Sequence, residues 1–346
     1  MRALSLLTFV VAILLLRPVQ AQSYADFVQQ KLDEAEDYLA VNPARSLQIL
    51  DELGPIYQPD DSAIHWHLLL LRAALPTHHL DRMLTALEVL FGFQQHPLFL
   101  QNIATITSGT GIWLRRHLYV ADAKISLECA LKYAKDNKQR LTLQNSMGLI
   151  SRELGDAAAA QNQFQHAFAL AHASNNIRVA AMVENNLGLL AMESGRYAQA
   201  AAYFRSSLTR YQSLSQRSGQ ISAALNLMMV FLIQGDTEQY QRLYGPTATL
   251  TENFPNKAKQ ALLLWLSSYF EKLNRGTTST TPGILRQAFY DLETVKLQQS
   301  VLQHLAPALE LNLPLPPSEL KVNFARPWFN KVKKCDWPHL TPATAV

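Results

Sequence analysis

Asn186-Leu187-Gly188-Leu189-Leu190-Ala191-Met192-Glu193-Ser194-Gly195-Arg196-Tyr197-Ala198-Gln199-Ala200-Ala201-Ala202-Tyr203-Phe204 is the stretch whose reading decides the fold. Before Gly195, the apolar residues Met182, Leu187 and Leu190 recur at helical spacing. After it, Tyr197, Ala200, Phe204 and Leu208 do the same. Two amphipathic helices joined by a tight turn follow from that pattern. Gly195 suits the left-handed residue that ends the first helix, because it has no Cβ to clash. Gly188 and Ala200 are small, so the paired helices can approach closely, and Phe204 can fill space against the following pair.

The same pattern stands one period of 40 residues earlier and one later: Gly148, Gly188 and Met228 share one position, and Gly155, Gly195 and Gly235 share another. A period in this range signals a stacked array, and its glycine punctuation argues against a coiled coil. In the first copy Asp156 follows the turn glycine and can cap the next helix through its carboxylate. In the third copy Met228 and Tyr240 replace both small residues, so that helix pair is expected to splay.

At Met147-Gly148, Ala160 and Phe164, and again at Leu187-Gly188, Ala200 and Phe204, the chain resembles the tetratricopeptide repeat family. The third copy keeps Asn226-Leu227 and Gly235-Asp236. The family's early Trp and terminal Pro are missing, and the period exceeds its usual ~34 residues, which implies longer helices. The resemblance covers about residues 141–236. It implies an all-α solenoid of antiparallel helix pairs, and a groove lined by the first helix of each pair where a peptide lies, held partly by Asn side chains. Asn145, Asn185, Asn186 and Asn226 fall at one or the adjacent position of each first helix. An amide both donates and accepts, so it can pair with a peptide group; it can equally bond a neighbouring helix. Arg152, Met192 and Glu193, about two turns further on, are placed to set selectivity.

Hydrophobic residues make up 48% of the 346-residue chain and charged residues 17%, a composition that buries a core and is not that of a disordered chain. Few β-branched runs and many Ala, Leu and Gln point to an all-α chain. The first 21 residues read as an export signal: Arg2, an apolar run from Leu4 to Leu16, and Val19-Gln20-Ala21, with cleavage expected after Ala21. The periplasm of a bacterial cell is the expected destination.

Residues 22–100 read as divergent helix pairs. Tyr24–Val41 forms a helix, Asn42-Pro43 starts another, Asp60 and Asp61 open a third, and Thr77 caps a fourth. Repeats occupy 101–250 and are clearest over 141–240, with a degenerate copy near 111–131. Helices follow over 251–310: one from Lys257 to Leu273, a polar loop over 274–283 expected to be mobile, and one helix from Pro282 to about Leu305. Pro307, Pro314, Pro316 and Pro317 favour an extended connector into the tail over 311–346.

That tail interleaves Arg326, Lys333 and Lys334 with Trp328 and Phe329. It reads either as a docking segment for an acidic partner or an anionic membrane surface, or as an arm folded back to cover the last helix pair. Without residues 1–21 and 321–346 the body holds 24 basic and 26 acidic residues, which disfavours nucleic acid as a partner. Cys129 and Cys335 either form a disulfide, which an oxidising compartment allows, or remain two thiols.

The sequence holds no Gly-x-Ser-x-Gly, His-Glu-x-x-His, Cys-x-x-Cys or phosphate loop. His65 and His67, two apart, point to different faces of a helix. No enzyme activity, cofactor or metal is expected. The expected function is a non-catalytic interaction module that holds a protein segment; the alternative is a sensory or regulatory module acting through a separate membrane signalling protein.

Overall fold

The computed structural model describes residues 23–39, 41–57, 60–77, 79–314 and 320–338. Residues 1–21, read above as an export signal, and His78, Pro316 and Pro317 lie outside them. The described residues are helical with no strand, and the chain divides into two compact units, the first ending at Asn102 and the second running from Ile103 to His339.

The first unit holds α1 (Tyr24–Tyr38), α2 (Pro43–Leu53), α3 (Asp61–Ala74), α4 (Leu80–Gly92) and α5 (Pro97–Gln101). Side-chain caps start four of them, His96 accepting the amide of Leu98 at the start of α5. Ser23, Asn42 and Asp60 accept the amides of Asp26, Arg45 and Ala63, satisfying donors that a helix start leaves without partners. Helix α1 stops at Tyr38, short of the expected Val41. Thr77 does not cap α4: its hydroxyl donates back to Ala73 O at 2.8 Å, and His79 occupies the cap position without a side-chain bond. Helix α3 is buried nearly all round, with Ile64, Leu69 and Ala73 fully covered, so it forms the core of this unit.

The second unit stacks hairpins in register. They are α6 (Ile103–Arg116) with α7 (Val120–Lys132), α8 (Asn137–Glu153) with α9 (Ala157–Ala173), α10 (Ile177–Glu193) with α11 (Tyr197–Ser213), and α12 (Arg217–Ile233) with α13 (Thr237–Glu252). Gly155, Gly195 and Gly235 all stand at positive φ (82°, 70° and 74°), the backbone reversal for which glycine was needed. At Gly188 a Cβ would come within 2.5 Å of the Phe204 ring, and the fully buried Phe164 crowds Gly148 in the same way. These glycines are therefore contact surfaces for an aromatic ring as well as helix residues. In the α12–α13 hairpin the aromatic moves: Tyr240, at the position of Ala200, is buried and stacks on Phe270 at 4.6 Å, whereas Tyr244, at the position of Phe204, is 38% exposed.

Helix α14 (Lys257–Arg275) continues the stack. The polar segment after it is held down: Glu271 accepts from the amide and hydroxyl of Ser279 and from the Thr278 hydroxyl, which corrects the expectation of a mobile loop. The single helix expected from Pro282 to Leu305 is two, α15 (Pro282–Tyr290) and α16 (Val295–His304). Thr294 caps α16 by accepting the amide of Leu297, a signal that the apolar periodicity across the break conceals. Leu285, Phe289, Val301 and Leu305 join α12 and α14 in one core.

The tail contains a helix, α17 (Phe329–Lys334), rather than an extended run throughout. It folds back, yet onto α7 at the beginning of this unit and not onto the last hairpin. Phe324 packs against Trp113 and Tyr119 with ring centroids at 5.5 and 5.4 Å, and its amide donates to Asp122 at 2.8 Å. Phe329 and Val332 are fully buried. Tyr133 donates its hydroxyl to Trp337 O at 2.6 Å. Cys129 and Cys335 are joined as a disulfide closing 206 residues of sequence.

Candidate concave cleft

The first helices of successive hairpins, α6, α8, α10, α12 and α14, line one wall of a cleft of about 640 Å³ within the second unit. Residues 292–300, spanning the α15–α16 turn and the start of α16, form the opposite wall. The volume lies in the range of small-ligand sites, roughly 300–1,000 Å³.

Two asparagine pairs knit the first wall. The Nδ2 of Asn186 donates to Asn145 Oδ1 at 2.8 Å, and the Nδ2 of Asn226 donates to Asn185 Oδ1 at 3.0 Å. Each bond reaches one period plus one residue back, joining α8 to α10 and α10 to α12. The amides therefore serve the stack itself. Asn185, Asn186 and Asn226 also line the cleft, whereas Asn145 is buried behind it.

A charge ladder runs beside them. Arg115 of α6 meets Glu153 of α8 at 2.5 Å, and Arg152 of α8 meets Glu193 of α10, its Nε at 3.0 Å. Glu153 and Glu193 hold equivalent positions one period apart, and Ile233 in α12 ends the series. There the far wall supplies the next cation: Lys296 stands 3.8 Å from Glu193, and Glu293 pairs with Arg116 at 2.7 Å. Burial lowers the pKa of Arg115, opposed by the adjacent Glu153 carboxylate. Arg152 and Glu193, expected to face a ligand, thus neutralise each other, and Met192 is a buried wall residue, 5% exposed.

Lys259 was not visible as a site residue in the sequence. It lies on the cleft wall, 8% exposed, its Nζ bonded to Ser218 O at 2.5 Å and Ser218 Oγ at 2.7 Å. Burial lowers its pKa to about 8, with Glu293 acting the other way. A lysine on an otherwise apolar helix face gives no local sign that it is buried.

The tail cations are mostly engaged. Lys333 lies 3.7 Å from Asp122 and over the Phe329 ring, and Lys331 pairs with Asp336 at 2.9 Å. Trp328 packs edge-on against Phe324 and Phe329 with centroids at 5.6 and 6.1 Å. Lys334 is exposed, as is Arg326.

Among the described residues no cluster of three or more His, Cys, Asp or Glu is placed to hold a metal, and no helix is long and apolar enough to cross a membrane. His65 bonds Glu36 at 3.2 Å and His67 bonds the Ile56 carbonyl at 3.1 Å.

No protein-family model matches the chain, and no curated protein matches it. Solved structures do. Aspartyl phosphate phosphatase F from Bacillus subtilis is 12% identical, with a TM-score of 0.59 over 85% of this chain and 90% of its own. The Rap conjugation gene regulator of the plasmid pLS20, solved in complex with the Phr* peptide, is 13% identical, with a TM-score of 0.61 over 89% of this chain and 94% of its own. At such identities the likeness is one of fold: an all-helical solenoid of the tetratricopeptide-repeat kind.

Proposed function

We propose that the second unit is a non-catalytic binding module whose cleft receives an extended peptide or protein segment. The observation that carries this reading is the cleft wall itself. The Asn185–Asn226 bond uses one oxygen and one nitrogen, leaving the Nδ2 of Asn185 and the Oδ1 of Asn226 outside it, both residues on the wall. A donor and an acceptor so placed match a peptide group. The similar fold solved with the Phr* peptide supports the same class of partner.

Export is part of the proposal and rests on residues 1–21 alone. With it, the partner belongs to the cell envelope. The regulatory alternative, in which the module acts on a separate membrane signalling protein, draws on a similar fold described as a gene regulator.

The test is affinity capture from envelope extract with the mature chain and with Leu189→Arg, which places a long cation on the wall of the cleft. Partners retained by the first and lost with the second support the proposal. Identical capture by both removes the cleft from the function.

A further inference from the structure

We propose that the surface where α17 meets the end of α7 and the start of α8 docks onto an anionic phospholipid bilayer, as a site separate from the cleft.

Folding brings two basic segments together there, joined by the Cys129–Cys335 disulfide across 206 residues of sequence. One segment carries Lys132, Lys135, Lys138 and Arg140; the other carries Lys331, Lys333 and Lys334. Lys132 donates to the Cys335 carbonyl at 2.7 Å, and Tyr133 donates to that of Trp337 at 2.6 Å, so the segments touch directly. Lys331 is half-buried and the other six cations are exposed.

Three carboxylates stand among them. Asp136 caps α8 by accepting the amide of Gln139, Asp336 pairs with Lys331, and Asp122 lies 3.7 Å from Lys333. Seven cations less three carboxylates leave a net charge of +4. The rest of the chain beyond residue 21 holds 22 basic and 24 acidic residues, a net −2, so the positive charge belongs to this surface. Among the described residues no carboxylate is in ion-pair distance of Lys135, Lys138 or Lys334. Crowded like charges destabilise the fold that carries them, and an anionic partner relieves that repulsion.

The residue types select a lipid surface over a protein. Six of the seven cations are lysines, which are compact, strongly hydrated point charges on flexible stems; arginine is the residue for shaped, bidentate recognition. No large apolar side chain is exposed over residues 131–140 or 329–338, whereas the core of a protein interface is rich in aromatics and poor in lysine. The backbone beneath is fixed, with Phe329, Val332 and Trp337 buried. A rigid basic plate without apolar anchors suits a fluid plane of phosphates, whose headgroups move to meet it. Clusters of about four to eight Lys or Arg are of the size that holds a protein to an anionic leaflet.

The experiment is co-sedimentation of the full mature chain with vesicles of equal parts phosphatidylglycerol and phosphatidylcholine, beside vesicles of phosphatidylcholine alone. The expected result is binding to the first and not the second at about 0.1 M salt. Binding should be lost at about 1 M salt, where the screening length falls from ~10 to ~3 Å. Replacing Lys135, Lys138 and Lys334 together by Gln should weaken partitioning about a hundredfold, or about fivefold for each cation, which is ~1 kcal/mol. All three are exposed, so the fold should survive the change, and a retained helical circular dichroism spectrum verifies it. No binding to the anionic vesicles, equal binding to both kinds, or unchanged binding by the triple variant overturns the proposal. Failure on vesicles with retention on immobilised polyglutamate, itself lost in the triple variant, also overturns it and assigns the surface to an acidic protein.

Discussion

Asn186 donates to Asn145 across 41 residues of sequence at 2.8 Å, and both side chains are buried. Removing one member leaves the other's amide buried without its partner, which costs ~1–3 kcal/mol. Asn186→Ala should therefore lower stability to chemical denaturation by that amount with helicity retained. Asn145→Ala should do the same, and the double variant should fall short of the sum, because the second change removes a group already orphaned. Additive losses in a double-mutant cycle would count against the bond.

Gly188 faces the ring of Phe204, and Gly148 that of Phe164. The rings are fully buried and have nowhere to turn, so Gly188→Ala should destabilise by ~1–3 kcal/mol through overpacking, although alanine is the better helix former. Phe204→Leu in the same chain should recover part of the loss. Gly195→Ala should also destabilise, for a different reason: there is open space around it but its φ is +70°, and no partner substitution should rescue it. Urea midpoints of the three variants separate the two causes.

The tail should be separable from the stack by chemistry. Cys335→Ser, or reduction, releases a constraint over 206 residues, worth ~2–5 kcal/mol in comparable cases. Thermal unfolding should move down by several degrees, and proteolysis should then remove the segment from 320 onward first. Phe329→Ala, which empties a fully buried site, should add a loss of ~3–5 kcal/mol. An unfolding temperature insensitive to reductant would show that Phe324, Phe329 and Trp337 hold the tail without the covalent link.

His67 sets a pH dependence. Burial lowers its pKa to about 4 from 6.5, and its Nδ1 has no partner. The unfolded chain thus binds a proton that the folded chain resists. The stability associated with neutral His67 is complete above pH 6.5 and is lost as pH falls toward 4. His67→Phe should flatten that limb of the stability–pH curve; an unchanged slope would place the titration elsewhere.

Local signals carried most of the fold. Turn glycines, cap residues such as Asn42 and Asp156, and the small-to-aromatic pairs act within one hairpin, so their chemistry is visible in a short window. What the sequence concealed depends on register between hairpins. Arg152 and Glu193 read as two ligand-facing groups, yet the offset of one period plus one residue brings them together. The same offset pairs the asparagines. Glu153 and Glu193 at equivalent positions, each with a cation one hairpin back, were the trace of this in the sequence. The turn of the chain at Asp291–Thr294 and the burial of Lys259 left no such trace, because both follow from packing against helices distant in sequence.

The covalent link between Cys129 and Cys335 has a mechanical meaning as well. Helical solenoids yield readily to a pull, since each hairpin touches only its neighbours. Here tension entering at one end of the chain passes from one sulfur to the other and bypasses everything between them. While the bond is oxidised, the hairpins from α8 to α16, which form all of the cleft but its α6 and α7 edge and Leu320, sit inside an unloaded loop and keep their spacing whatever strains the rest of the polypeptide.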